Sequence, residues 1–260
     1  QINRVFSNWD KHSELSQVNL QPAHQTILLS SELSKVLSES VRVYQQTDGF
    51  FDPGIGRLVD AWGFGITKVA SKPDREAIEQ ALRHSSIAKA TFSAPELTKQ
   101  ANIQLNLSAI AKGYAVDEVA KLLVDQGIKR FMVEIGGEIK TQGSWTIGIE
   151  TPAEQAPIKV ELVDESIATS GNYRQYFIWE GKRYAHILDP HTGFPVNSDL
   201  FSASVIHKSN LLADAYATAM MAMGSEKAIQ LAQRLKLKTV LVVKQCDTPC
   251  LSKNVIKIGL

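Results

Sequence analysis

Between residues 129 and 207 one strand-like run follows another: KRFMVEIGGEIKTQG, SWTIGIET, IKVELVD, RQYFIWEGKRYAHIL and LFSASVIH. The turns between them are short, which favours antiparallel pairing with helices packed on the sheet. Helical periodicity flanks the block. Residues 30–49 start Ser-rich and stop at a glycine, 72–85 carry Pro and Asp in the first turn, and 108–127 show one broad apolar face. Residues 211–224 and 225–237 read as two further helices, and KTVLVVKQ closes as a strand. The opening QINRVFSNWDKHSELS reads as amphipathic helix. No repeat, low-complexity tract or linker marks a boundary, so the expected fold is α/β (α+β), with largely antiparallel sheets and packed helices in one compact unit over 1–260.

The bulk chemistry narrows the partners. A formal net charge of +1 with scattered basic residues gives no footprint for nucleic acid or an anionic membrane surface. No apolar run approaches the length of a spanning helix. No signal peptide is visible at the start. The two cysteines, Cys246 and Cys250, suit either a small disulfide loop in an oxidising compartment or two free thiols.

Four stretches are dense in chemistry, and each has a plainer structural reading beside the functional one. In LLADAYATAMMAMG, Asp214 and Thr218 are four apart, so they share one helix face. A hard cation taking oxygen ligands would satisfy both, and so would a polar stripe on a buried helix. In LNLSAIAKGYAVDEVA, Ser108 suits an N-cap, while Lys112 sits near a helix start, where the dipole disfavours a cation. An anion nearby would resolve that conflict; so would a solvated lysine. Gly113 would admit close backbone approach. In GFFDPGIGRLVDAWGFG, aromatics beside flexible backbone suit a planar ligand or a loop stapled by ring packing. In AHILDPHTGFPV, the polar groups fit a self-capping turn, a metal site or a pocket wall. The paired glycines of EIGGEIKTQG match neither a dinucleotide fingerprint nor a P-loop.

Taken together and in order, WDKHSELSQVN, GFFDPGIGRLVDAWGFG, LNLSAIAKGYAVD, VEIGGEIKTQG, IATSGNYRQYF, AHILDPHTGFPV and ADAYATAMMAMG resemble the ApbE family, the FAD:protein FMN transferases. The resemblance spans nearly the whole chain. It implies one ApbE-like FMN transferase domain over 1–260. The family's first strand and its Met-Gly-Thr-like segment are expected to be missing from it. The implied reaction splits FAD with Mg²⁺ (Ca²⁺ as the alternative), transfers FMN to a threonine hydroxyl of a target flavoprotein and releases AMP. FAD pyrophosphatase activity and non-catalytic FAD binding for maturation of a periplasmic reductase are the rival readings.

Carried over by motif, Asp214 and Thr218 become metal ligands, joined by the backbone carbonyl at Ala109. FAD contacts fall on Trp9, Phe50, Phe51, Asp52, Asn106, Lys112, Leu188 and Thr192. His186 becomes the general base for the acceptor threonine, since an imidazole titrates near neutrality. Asp189 either orients it or holds the turn, and His191 reads as a surface histidine. Three positions depart from the family pattern. Asn106 stands where aspartate is usual, Gly54 where threonine is common, implying a looser loop, and Ala217 where some members carry a second aspartate. The resemblance also implies a periplasmic or cell-envelope location on the outer face of the cytoplasmic membrane, reached through a lipid anchor, if any, outside this chain.

Overall fold

A computed structural model describes residues 1–151, 156–172, 176–244 and 253–260. Cys246 and Cys250 lie outside the described residues. Contacts along the chain group into two compact units: Gln1–Ala111 with Gln175–Val196, and Lys112–Arg174 with Asn197–Leu260. Each unit is assembled from two separate stretches. Two of the crossings, between Ala111 and Lys112 and between Val196 and Asn197, fall at the edges of the KGYA and HTGFPV motifs.

The first unit carries a three-stranded antiparallel sheet in the order Thr26–Leu28, Glu96–Lys99, Ala90–Ser93, and an antiparallel hairpin, Tyr176–Trp179 with Lys182–Ala185. Its helices start where short polar side chains cap them. Ser30 accepts from the Leu33 amide ahead of Ser31–Gln46, and Asp74 from the Ala77 amide ahead of Arg75–Arg83. Asp74 is therefore a cap and not a first-turn residue. The amphipathic opening is two short helices, Ile2–Phe6 and Glu14–Leu20. Between them Ser7 Oγ takes the amides of Trp9 and Asp10, an alternative to helical bonding that breaks the run. Helix Gly56–Ala61 and the three-stranded sheet were not foreseen; their segments are too short to show a period.

The second unit is built on a six-stranded antiparallel sheet. Its order is Lys253–Ile258, Lys238–Lys244, Leu200–His207, Ser166–Gly171, Glu138–Gln142, Phe131–Ile135. KTVLVVKQ does not close the chain, because Lys253–Ile258 pairs beyond it. A second pair, Ser144–Ile149 with Ile158–Val163, adds Ile147, Ile149, Val160 and Leu162 to a core shared with Ile167, Ile206 and Val240. Helix Asn210–Met223 packs on Ser166–Gly171 and Leu200–His207. Its alanines combine high helix propensity with small volume, so the backbone can approach the sheet closely. Asp117, on helix Ala111–Asp125, completes its N-terminus: the carboxylate accepts from the amides of Asn210 (3.0 Å) and Leu211 (3.1 Å), Ser209 Oγ (2.9 Å) and Lys140 Nζ (2.7 Å). The mixed class and the antiparallel pairing agree with the sequence reading. No helix among the described residues is long and apolar enough to cross a membrane.

Candidate active site

In the second unit, three charged side chains meet. Asp214, on the helix that packs against the sheet, is 2% exposed. Its Oδ2 accepts from the Gly113 amide at 3.1 Å, and its Oδ1 faces Lys112 Nζ at 3.7 Å. Lys112 Nζ donates to Glu138 Oε1, and Glu138 is likewise 2% exposed. A Cβ on Gly113 would stand 2.4 Å from the Asn210 carbonyl oxygen. Only glycine lets helix Ala111–Asp125 come near enough for its first-turn amide to reach Asp214. That amide is one of the unpaired donors of a helix start, so the carboxylate also sits at the favourable end of the dipole. One turn on, Thr218 Oγ1 and Ser170 Oγ are hydrogen-bonded at 3.0 Å, and either hydroxyl can be the donor.

Electrostatics set these groups apart from the surface. Burial raises the Asp214 carboxyl above its usual range, against the pull of Lys112 and the Gly113 amide. Burial, then the charge of Asp214, pushes Glu138 from 4.5 to about 7. Burial opposes the Lys112 ammonium, but Asp214 and then Glu138 outweigh it and hold its pKa above the ordinary value. With both acids ionised, two carboxylates face one ammonium, and Glu138 Oε2 is buried without a hydrogen bond. In that state the cluster is short of positive charge, and the lone pairs it offers are all on oxygen.

Of the two answers expected for the unfavourable helix position of Lys112, a nearby anion is the one the structure shows. Its anions are supplied by the protein itself. Glu138 went unnoticed in the sequence because strand alternation says nothing about which polar residue of EIKTQ is buried. Ser108 is not the cap of this helix; it lies in the turn before Ala111, its amide held at 3.0 Å by Asn106 Oδ1. Ala109 lies in that same turn, in the first unit.

In the first unit, AHILDPHTGFPV is a turn that braces itself. Asp189 Oδ1 accepts from the His191 amide (2.9 Å) and lies 3.1 Å from His191 Nδ1, while Oδ2 accepts from Thr192 Oγ1 at 3.1 Å. The Gly193 amide donates to the Asp189 carbonyl (2.8 Å), and Trp62 Nε1 to the Gly193 carbonyl (2.7 Å). His191 is more than a surface histidine. Its Nε2 lies 2.9 Å from the Asp48 carbonyl and its ring stands edge-on to Phe50 at 4.5 Å. Of the two expected roles for Asp189, holding the turn is the one these bonds describe. His186 is half-buried, its ring 6.3 Å from Phe64, at the end of a series running through Phe177, Trp179, Tyr184 and Trp62.

The remaining expected flavin contacts divide by exposure. Trp9 is 61% exposed, with Lys68 Nζ 5.3 Å from its ring centre, so one broad aromatic surface is open for stacking. Phe50 and Asn106 are half-buried, and Thr192 is exposed. Phe51 and Leu188 are buried, Leu188 within the core of Leu58, Trp62, Ile78 and Tyr184. Asp52 is buried too, and its Oδ1 ties the loop by accepting from the amides of Gly54 (2.7 Å) and Ile87 (2.8 Å). Burial raises its carboxyl pKa, opposed by those bonds. Gly54 does not loosen this loop. A Cβ there would lie 2.3 Å from the Ile87 nitrogen, so glycine is what permits the close crossing.

Among the described residues, no group of three or more His, Cys, Asp or Glu side chains is arranged to hold a metal. Magnesium does not require one, since it keeps several waters and binds through one or two carboxylates plus substrate phosphates. Asp214 with Thr218, beside a cluster short of positive charge, fits that pattern.

Residues 1–241 match the model of the ApbE family. The chain is 37% identical to a Vibrio cholerae protein named FAD:protein FMN transferase, across 95% of this chain and 77% of that protein. A Haemophilus influenzae protein of the same name is 35% identical across 94% and 75%. Among solved structures, the flavin transferase ApbE from Vibrio cholerae superposes with a TM-score of 0.91 at 34% identity, covering 99% of this chain and 84% of that one. The Pseudomonas stutzeri flavinyl transferase ApbE, in its apo form, gives 0.88 at 31% identity, covering 99% and 82%.

Proposed function

Since the chain belongs to the ApbE family, we propose that it is an FAD:protein FMN transferase whose acceptor is a threonine hydroxyl of a target flavoprotein. The observation that carries the reading at the level of chemistry is the pair of buried carboxylates, Asp214 and Glu138, facing the Lys112 ammonium, one helical turn from the Thr218 hydroxyl. A diphosphate ester brings negative charge, and phosphoryl transfer asks chiefly for positioning and charge neutralisation.

The reaction balances as follows. The threonine oxygen forms a bond to the FMN phosphorus, the bond from that phosphorus to the bridging oxygen breaks, and AMP leaves with the bridging oxygen. The threonine proton passes to His186. Asp214 and Thr218 are the residues that would hold Mg²⁺, which when bound supplies charge neutralisation at the diphosphate. Lys112 contributes an ammonium for a phosphate oxygen. Trp9 offers its open face to a flavin or adenine ring, while Asp52 and Asp189 keep two loops in shape. The same reading puts the enzyme in the periplasm or cell envelope, which fractionation of the expressing cells tests.

Incubation with FAD, Mg²⁺ and a flavoprotein fragment bearing the acceptor threonine should give one FMN adduct on that threonine and none on its alanine variant. FMN and AMP released at the same rate with the acceptor left out would instead support hydrolysis. Tight FAD binding with neither product would support a binding protein.

A further inference from the structure

We propose that Glu138 is a positioning residue: it draws the Lys112 ammonium away from Asp214 and so keeps Asp214 Oδ1 open to a divalent cation. The inference rests on the reading of Asp214 as a cation ligand and assigns a role to a residue which that reading leaves without one.

The geometry is uneven in an informative way. Lys112 Nζ has two buried carboxylates within reach, yet it bonds to Glu138 Oε1 and stops 3.7 Å from Asp214 Oδ1, beyond hydrogen-bond length. Asp214 Oδ2 is committed to the Gly113 amide. Oδ1 is therefore the oxygen left for a cation, and the ammonium is its nearest competitor. Glu138 is the fixed member of the pair, 2% exposed on a sheet strand, while Lys112 hangs on a long stem that is 45% exposed.

The hairpin that carries Glu138 is itself pinned. Phe131–Ile135 and Glu138–Gln142 are joined by Gly136 and Gly137, both at positive φ, and Glu134 Oε1 takes the Gly137 amide at 3.0 Å. The turn lies over the pair: a Cβ at Gly136 would meet Glu138 Oε2 at 3.6 Å and Lys112 Cδ at 3.8 Å. Without the Glu138 carboxylate, the ammonium would keep one buried anionic neighbour, Asp214. Closing about 1 Å would make it a hydrogen-bonded ion pair on the oxygen the cation needs.

This role differs from direct ligation through Glu138 Oε2 and from a general field effect, because it runs through Lys112. The test is Mn²⁺ binding to the full chain without FAD, read by electron paramagnetic resonance of the free ion. Glu138→Gln should weaken Mn²⁺ binding about tenfold in the parent. In a Lys112→Met background the same substitution should change it less than about twofold. A Lys112→Gln background repeats the comparison, so a folding defect in one variant does not decide the outcome. Equal weakening in the presence and absence of Lys112, or none in the parent, would overturn the proposal. Failure of the underlying reading looks different: Asp214→Asn would then bind Mn²⁺ as tightly as the parent.

Discussion

Replacing Glu138 by glutamine should make stability less sensitive to the rise from acid to neutral pH, by an amount the structure supplies. Burial and the neighbouring Asp214 raise this carboxyl from 4.5 to about 7 in the folded chain. A folded-state pKa above the unfolded one means the contribution is fully present below pH 4.5 and is lost as the pH rises through 7. Between about pH 5.5 and about pH 8.5, linkage with these two values gives a loss of roughly 2 kcal/mol. Glutamine keeps the shape and cannot ionise, so E138Q lacks this loss. Urea unfolding of parent and variant at both pH values, with chelator present, isolates the effect as a difference of differences. The stability of E138Q relative to the parent should rise by roughly 2 kcal/mol from the lower to the higher pH. A difference independent of pH, or one of opposite sign, would refute the placement of a buried, burial-shifted acid at this position.

Other substitutions probe the scaffold and the chemistry. Gly113→Ala should destabilise the fold by about 1–3 kcal/mol or more, because its Cβ meets the Asn210 carbonyl; thermal melting measures this, and an unchanged midpoint would count against the close approach. Asp52→Ala leaves the Gly54 and Ile87 amides without their acceptor and should cost roughly 3 kcal/mol in denaturant unfolding. His186→Ala should slow FMN transfer on the order of 10²–10⁴-fold while FAD affinity, followed by flavin fluorescence, stays within a few-fold. Equal loss of both would mark a structural histidine.

The parts of this molecule that could be read in advance are those where one residue's neighbours in sequence are also its neighbours in space. The Asp214–Thr218 face follows from helix spacing, and the Asp189 turn from the crowding of Asp, His, Thr and Gly within a few positions. Strand order in the larger sheet was not legible: Leu200–His207 pairs with both Ser166–Gly171 and Lys238–Lys244, and no local pattern specifies such choices. Nor was the burial of Glu138, which depends on where Lys112, 26 residues earlier in the chain, and Asp214, on a later helix, arrive in space. Gly54 misled for the same reason. A glycine in a loop suggests freedom, and the backbone of Ser86–Ile87 lying against it is a tertiary fact.

The most direct trial of the account is single-turnover AMP release from FAD in the presence of the acceptor protein, followed against Mg²⁺ concentration for the parent and for Asp214→Asn. The parent should show saturable dependence on the cation. The variant should fall at least about 100-fold, with its folded spectrum intact. Cation-independent turnover in the parent, or a variant within a few-fold of it, would contradict the assignment of Asp214 to the reacting diphosphate.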